Sequence, residues 1–345
     1  MDKAFFPNPE QLQSRGASQV RFHDLAATAA VGQFGRHVFI RAVVEVSNYC
    51  RENCRYCGMR RDNRSLDRHR AHADQLADLL LNHRPASVTD LNIQSGEDPV
   101  AVREVVLPLI RTLRRETTLG VSVCLGTLHP ALYDELREAG ASIYIIKFEI
   151  GDPVQYALFT APGEHAERLQ NIRLLASRGW RVSSGFIAGL PGQTPEHLLS
   201  NFHVAADLPL AGCSVSPFIP GDETPLASAA TADIDLTLNC MAALRLMRPG
   251  WVIPAVSALN LAAPGTGYGR GLRTGANLVT INLTPTGMRE DYLLYKRERF
   301  IMTEDRILAA IAAEGLEPSR TGLAHYYRTH EPLNPAHPSI HAAAA

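Results

Sequence analysis

At 345 residues the chain exceeds a usual single domain but fits one α/β barrel. Hydrophobic residues make up 46% and charged residues 20%, a globular composition that argues against wholesale disorder. Lys+Arg is 34 against Asp+Glu 35, so a net charge of −1 gives no electrostatic case for DNA, RNA or an anionic membrane as principal partner and leaves small molecules. The N-terminal MDKAFFPNPEQLQSRG lacks the apolar core of a signal peptide, and no apolar run approaches the roughly 18 residues of a membrane span. Six cysteines, at 50, 54, 57, 124, 213 and 240, are too sparse for a secreted disulfide framework. A cytoplasmic location is expected, with thiols free for a metal.

In chain order, residues 1–36 read as an N-terminal helical extension. Strand-like runs follow at Phe39–Val46, Val88–Gln94, Gly120–Leu125, Ile143–Glu149, Arg181–Ala188, Gly212–Phe218, Trp251–Ala258 and Leu278–Leu283. Amphipathic helices separate them: Asp74–Leu81, Val102–Glu116, His129–Ala139, His165–Arg178, Pro195–Ala206 and Ile234–Met247. Several end at glycine, as in REAGAS and ASRGWR. Eight near-continuously apolar strands alternating with helices predict a complete (β/α)8 barrel over 37–300 with an N-terminal helical cap; a doubly wound open sheet is the competitor. Residues 301–330 read as a C-terminal helical segment and 331–345, rich in Pro, His and Ala, as a flexible tail.

The first predicted strand runs into SNYCRENCRYCGMRRDN, which places Cys50, Cys54 and Cys57 in a C-x3-C-x2-C loop. In barrels that end of a strand carries the chemistry. Three thiolates on one loop can hold one corner of an inorganic cluster but cannot complete a four-thiolate site. Neither His69 nor His72 stands at zinc-ribbon spacing. A cluster with three protein ligands leaves one iron open, the mark of reactive metal. Incidental thiols or a zinc knuckle are the bland alternatives.

The cysteine loop, with Tyr56 before its last cysteine, resembles the signature of the radical S-adenosylmethionine (SAM) superfamily. The resemblance implies that Cys50, Cys54 and Cys57 hold a [4Fe–4S] cluster whose open iron chelates SAM. One electron then breaks the sulfonium bond, and a 5′-deoxyadenosyl radical takes a hydrogen atom from substrate. It also implies SAM contacts from Ser95, Gly96 and Glu97 in QSGEDP, from Glu149 to the ribose, from Arg168 to the carboxylate, and from Gly185, Ile187 and Gly189 beside the adenine. Each has a plain alternative: SGEDP is a common strand-to-helix turn, and Arg168 an ordinary helix residue. Inward-facing Lys147 and Glu149 are costly to bury unless paired or ligand-bound.

From Val43 to Tyr295, segments such as GLPGQT, SPFIPGDETPL and GANLVTINLTP resemble the subgroup of biotin synthase, the radical-SAM maturase of iron–iron hydrogenase (HydE-like) and 3-methylornithine synthase. The last two are nearest, with the maturase first. That implies a small amino-acid-derived or metal-bound substrate enclosed in the barrel, an electron donor such as ferredoxin or flavodoxin, and a carrier or companion enzyme. Sulfur insertion of the biotin- or lipoate-synthase kind is the runner-up, and a non-catalytic iron–sulfur scaffold or electron carrier the rival class. Only Cys124 matches a cysteine of biotin synthase's second cluster, and Lys147 stands where the maturases have arginine. Candidate substrate contacts are Cys124, Lys147, Ser257, Arg270, Arg273 and Asn282, with Thr284 beside Asn282; an arginine pair in the pocket would suit a carboxylate. Tyr292 and Tyr295 are expected to close the mouth.

Overall fold

The computed structural model describes residues 5–298 and 300–330; the expected tail at 331–345 lies outside them. Helices Pro9–Leu12 and Gly16–Phe34 lead into β1 (His37–Ser47). The remaining long-range strands are β2 (Asp90–Ser95), β3 (Gly120–Cys124), β4 (Ile143–Ile145), β5 (Arg181–Ala188), β6 (Gly212–Pro217) and β7 (Leu278–Asn282). All pair in parallel, in the order β6-β5-β4-β3-β2-β1-β7.

The expected closed (β/α)8 barrel does not form. The seven-stranded sheet is curled but open, a half-barrel whose edges, β6 and β7, stand 10 Å apart. The expected strand Trp251–Ala258 lies in this gap and meets each edge through one bridge, Gly212 with Val252 and Pro254 with Leu278. Pro254 has no N–H to extend a ladder. The Ile253 N–H is taken by the Asn277 side chain at 2.9 Å rather than by a strand neighbour.

Side-chain alternation sorts the sheet into two faces. Val38, Ile40, Ala42, Val44 and Val46 of β1 pack outward with Leu91, Ile93, Val121, Val123, Val215 and Val279 against the helices, in one continuous core. The intervening residues, among them Arg41, Val43 and Glu45, face a cavity on the concave side.

The floor of that cavity is a separate apolar cluster of Phe39, Ile143, Val252 and Leu278 with Leu323, Ala324 and Tyr327. The last three belong to the helix Leu323–Thr329. Buried Asp90 anchors it by accepting the Leu323 and Ala324 N–H groups at 2.6 and 2.9 Å, a carboxylate on a helix N-terminus. Tyr327 Oη donates to the Ala211 carbonyl at 3.0 Å. Just before it, a two-residue β8 (Glu317–Pro318) pairs with His37 and Val38 at the start of β1.

At the opposite end, Asp98 joins β1, β2 and the helix that follows. It accepts from Ser47 Oγ at 2.7 Å and from Arg70 Nε and Nη2 at 2.7 and 3.0 Å, and it caps the Val100 N–H at 3.2 Å. Burial pushes its carboxyl up, but the hydrogen bonds from Arg70 and Ser47 outweigh that and hold it below the ordinary 3.8. A lowered folded pKa adds stability above the unfolded value and loses it as pH falls through the folded one. Asp98→Asn is therefore expected to lose about 2 kcal/mol at pH 7. The gap to the unmodified protein should narrow below about pH 3.8, the ordinary carboxyl value, as read by urea titration at each pH.

Candidate active site

Past β1 the chain makes a long excursion before the next helix at Ala73, and Arg68 organises it. Its guanidinium donates to the carbonyls of Asn48 and Met59 through Nη1 and of Arg60 and Asn63 through Nη2. Asn63 in turn donates to the Gly58 carbonyl at 2.7 Å. Inside this coil the Cys57 N–H bonds the Cys54 carbonyl at 3.2 Å, and Cys50 Sγ accepts the Glu97 N–H at 3.4 Å. Burial pushes all three thiols up, Cys57 to about 12, and for each of Cys54 and Cys57 a neighbouring cysteine adds to the shift. Among the described residues no three His, Cys, Asp or Glu side chains gather closely enough to hold a single ion. One zinc draws its thiolates to about 2.3 Å from a common point, whereas cluster thiolates each bind a different iron.

Gly96, after β2, lets this turn press on the cysteine loop. A Cβ there would lie 2.2 Å from the Tyr49 carbonyl oxygen and 2.7 Å from Cys50 Cβ. Ser95 Oγ donates to the Gly96 carbonyl at 2.6 Å. Beyond it Glu97 is buried and paired with equally buried Arg168 at 2.8 Å. The same oxygen accepts the Thr127 N–H at 2.9 Å, and Arg51 reaches the other at 3.2 Å. Arg168 also donates to Thr127 Oγ1 at 2.7 Å and to the Lys147 carbonyl at 3.0 Å. Burial opposes the Arg168 charge, yet Glu97 and other partners prevail and hold its pKa above the ordinary value.

Glu149 sits just past β4 at a left-handed φ of 63°, unusual for a non-glycine residue. Its backbone is pinned to β5, the N–H to the Gly185 carbonyl at 3.0 Å and the carbonyl to the Ile187 N–H at 2.9 Å. Its Oε2 is 3.6 Å from Lys147 Nζ and, though buried, has no hydrogen bond. Tyr56 Oη is likewise buried without a partner. Orphaned buried polar atoms beside three thiols are a donor set with unmet capacity. Ile187 packs in an apolar cluster with Tyr156, Phe159 and Leu190 that also receives Tyr56. Gly185 and Gly189 have packing reasons of their own, since a Cβ would meet Ser214 Oγ at 2.1 Å and Ala232 Cβ at 2.3 Å.

Next to these groups lies the concave cavity of about 190 Å³. Cys124, Lys147, Ser257 and Asn282 line it, as does Tyr295. Lys147 donates to Ser216 Oγ at 3.3 Å; burial works against its charge, but Glu149, Tyr295 and Cys124 hold its ammonium above the ordinary range. Arg270 and Arg273 do not face the cavity: Arg270 pairs with Asp235, and Arg273 with Glu314 at 2.6 Å, on the outer side. Arg270→Ala and Arg273→Ala are thus expected to leave ligand binding within about twofold and cost less than about 1 kcal/mol, measured by calorimetry and urea titration. Thr284 is buried and accepts the Glu45 N–H at 2.9 Å. Tyr292 packs with Met59 and Leu66 beneath the cysteine loop.

Sequence reasoning missed Arg41, Glu45, Asn92 and Gln94, which line the same cavity. Gln94 Nε2 donates to Glu45 Oε1 at 3.2 Å, and Asn92 Nδ2 to Gln94 Oε1 at 3.3 Å. Their signal was polar residues an even number of positions apart in otherwise apolar strands, four in RAVVE and two in NIQ. Among the described residues Cys124 is the one cysteine in the lining, while Cys213 and Cys240 are fully buried in the core between sheet and helices.

Residues 44–204, which carry the cysteine loop, Glu97, Glu149 and Arg168, match the model of the radical SAM superfamily. The chain is 31% identical to the [FeFe] hydrogenase maturase subunit HydE of Thermotoga maritima over 314 residues, 90% of this chain and 89% of that one. The chain belongs to the radical SAM superfamily. It is also 24% identical to the 3-methylornithine synthase of Methanosarcina barkeri, over 87% of this chain and 85% of the relative. In fold it matches the crystal structure of methylornithine synthase (PylB) with a TM-score of 0.78 at 21% identity, covering 90% of this chain and 92% of the other. The [FeFe] hydrogenase maturase HydG matches at 0.74, over 94% of this chain and 76% of that one. Radical SAM enzymes in general use SAM and a [4Fe–4S] cluster, and this chain carries that catalytic domain. No helix among the described residues is long and apolar enough to cross a membrane.

Proposed function

We propose that the chain cleaves SAM reductively and directs the resulting radical at a small molecule held in the cavity of the curled sheet. The observation that carries this reading is one line of contacts: Cys50 touches Glu97, Glu97 pairs with Arg168, and Arg168 holds the Lys147 backbone, whose side chain lines the cavity. Cys50, Cys54 and Cys57 would hold the cluster, which when bound supplies the single electron that breaks the sulfonium carbon–sulfur bond. Every other task falls to this chain's side chains.

Glu97 and Arg168 offer opposite charges to the ammonium and carboxylate of SAM's methionine end, and their mutual pair gives each a countercharge in a buried setting before SAM arrives. Glu149 presents an oxygen that has no hydrogen bond, only the Lys147 ammonium at 3.6 Å, to the ribose hydroxyls from a backbone pinned to β5. Tyr56 and the cluster around Phe159 and Leu190 exclude water from that end. Glu45 with Gln94, and Lys147 with Ser216, provide acceptor and donor groups for a polar substrate such as an amino-acid derivative. Cys124 stands in the same lining, available as a ligand or hydrogen donor.

The test is anaerobic reconstitution with iron and sulfide, reduction, and addition of SAM. The expected products are 5′-deoxyadenosine and methionine, with a SAM-dependent change in the cluster's EPR spectrum. Neither product nor a change of spectrum would sink the reading and leave an iron–sulfur scaffold in its place.

A further inference from the structure

The charges of this chain balance overall but not locally. Residues 51–70 hold seven arginines against three acids, while the chain as a whole is at −1, so the remainder is net acidic. Three of the seven are engaged in the architecture: Arg68 in the carbonyl lattice, Arg70 with Asp98, and Arg51 with Glu97. The other four are Arg55, Arg60, Arg61 and Arg64. Arg61 pairs with exposed Asp62 at 3.1 Å, a contact worth little in water. Arg55, Arg60 and Arg64 have no carboxylate partner among the described residues; Arg64 is exposed, and Arg55 and Arg60 are half-buried. Of the remaining acids nearby, Glu52 accepts the Gly163 N–H and Glu223 is held by Ser65 and Arg297, which leaves exposed Asp67 as the one acid of the segment set against these arginines.

This cationic face is continuous with an exposed apolar ridge. The Arg55 N–H donates to the Phe159 carbonyl at 3.0 Å and its guanidinium to the Leu158 carbonyl at 3.2 Å, which fixes the loop against the helix Pro153–Leu158. On that helix Val154 is 72% and Leu158 51% exposed. Arginines rimming a small apolar centre fit a protein of opposite charge better than a nucleic acid, which offers no apolar face to Val154 and Leu158. The patch surrounds the one loop whose cysteines must receive an electron, and tunnelling falls steeply with distance.

We propose that this arginine face, with the Val154–Leu158 ridge, is the docking surface for an acidic one-electron carrier protein. The inference rests on the radical SAM reading above. In the transfer one electron leaves the reduced carrier, which is oxidised by one equivalent, and the cluster held by Cys50, Cys54 and Cys57 is reduced by one; no bond to the carrier forms.

The test uses the reconstituted full chain and a purified acidic flavodoxin as probe. Calorimetry with oxidised flavodoxin should show binding that weakens at least about tenfold between about 0.05 and 0.2 M salt. Arg61→Glu/Arg64→Glu should lose at least tenfold in affinity and in the rate of flavodoxin hydroquinone oxidation, Arg61→Lys/Arg64→Lys should stay within about twofold, and Leu158→Ser should weaken binding at every salt concentration. SAM cleavage driven by dithionite should be unchanged in all three. Equal binding by the charge-reversed and unmodified proteins, or binding to anionic lipid vesicles with none to flavodoxin, overturns the proposal. If dithionite drives no SAM cleavage in the unmodified protein, it is the radical SAM reading that fails, and the calorimetry still decides the docking face.

Discussion

Replacing Cys54 with alanine is expected to abolish 5′-deoxyadenosine formation, a loss of at least about 10³-fold or roughly 4 kcal/mol in the barrier. Cys54 is the most enclosed of the three loop thiols, at 6% exposure, and its backbone carbonyl also fixes the turn to Cys57. The alanine keeps that backbone bond and the Arg68 lattice, so the excursion should stay folded while one cluster corner is lost. Iron analysis and the visible charge-transfer band of the reconstituted protein check this alongside activity. Full iron content and full turnover in the alanine variant would remove Cys54 from the ligand set.

The second large effect is at the buried ion pair. Glu97→Gln leaves the Arg168 guanidinium enclosed without its countercharge, and removing one member of a buried pair costs about 3–5 kcal/mol. Arg168→Met should cost a similar amount by stranding the carboxylate, although Arg51 at 3.2 Å offers Glu97 partial relief. The double variant Glu97→Gln/Arg168→Met should regain part of the stability, because no isolated charge remains, yet still fail to bind SAM. Urea unfolding and SAM calorimetry on the three proteins separate the two contributions. Retained SAM affinity in the double variant would make the pair purely structural.

The inward and outward faces of the strands were legible because a strand alternates and a half-buried sheet cannot hide which residues are apolar on both sides. Lys147 and Glu149 stand out in IIKFEI for that reason; Arg41 and Glu45 in IRAVVEV carry the same alternation but were missed, being four positions apart with Val43 between them on the same face. The failed closure was not legible. WVIPAVSA has a strand's apolarity, and only the neighbour's use of Asn277, together with Pro254, keeps it from laddering. The misplacement of Arg270 and Arg273 has a similar cause. GYGRGLR is one short helix, Gly267–Arg273, whose buried Tyr268 and Leu272 take the inner side and turn both arginines out. The Glu97–Arg168 contact joins residues 71 apart and leaves no local trace.

The helix Leu323–Thr329, clamped by Asp90, makes the half-barrel a stoppered vessel. On the proposed function, a substrate in the cavity would be loaded and emptied through the end where the cysteine loop and SAM's proposed contacts stand, so what enters last would leave first. Substrate behind SAM would then be committed for the duration of a turnover, and steady-state kinetics would follow an ordered rather than a random scheme. A chain lacking the Leu323–Thr329 helix would have a second door, and its order of addition would relax.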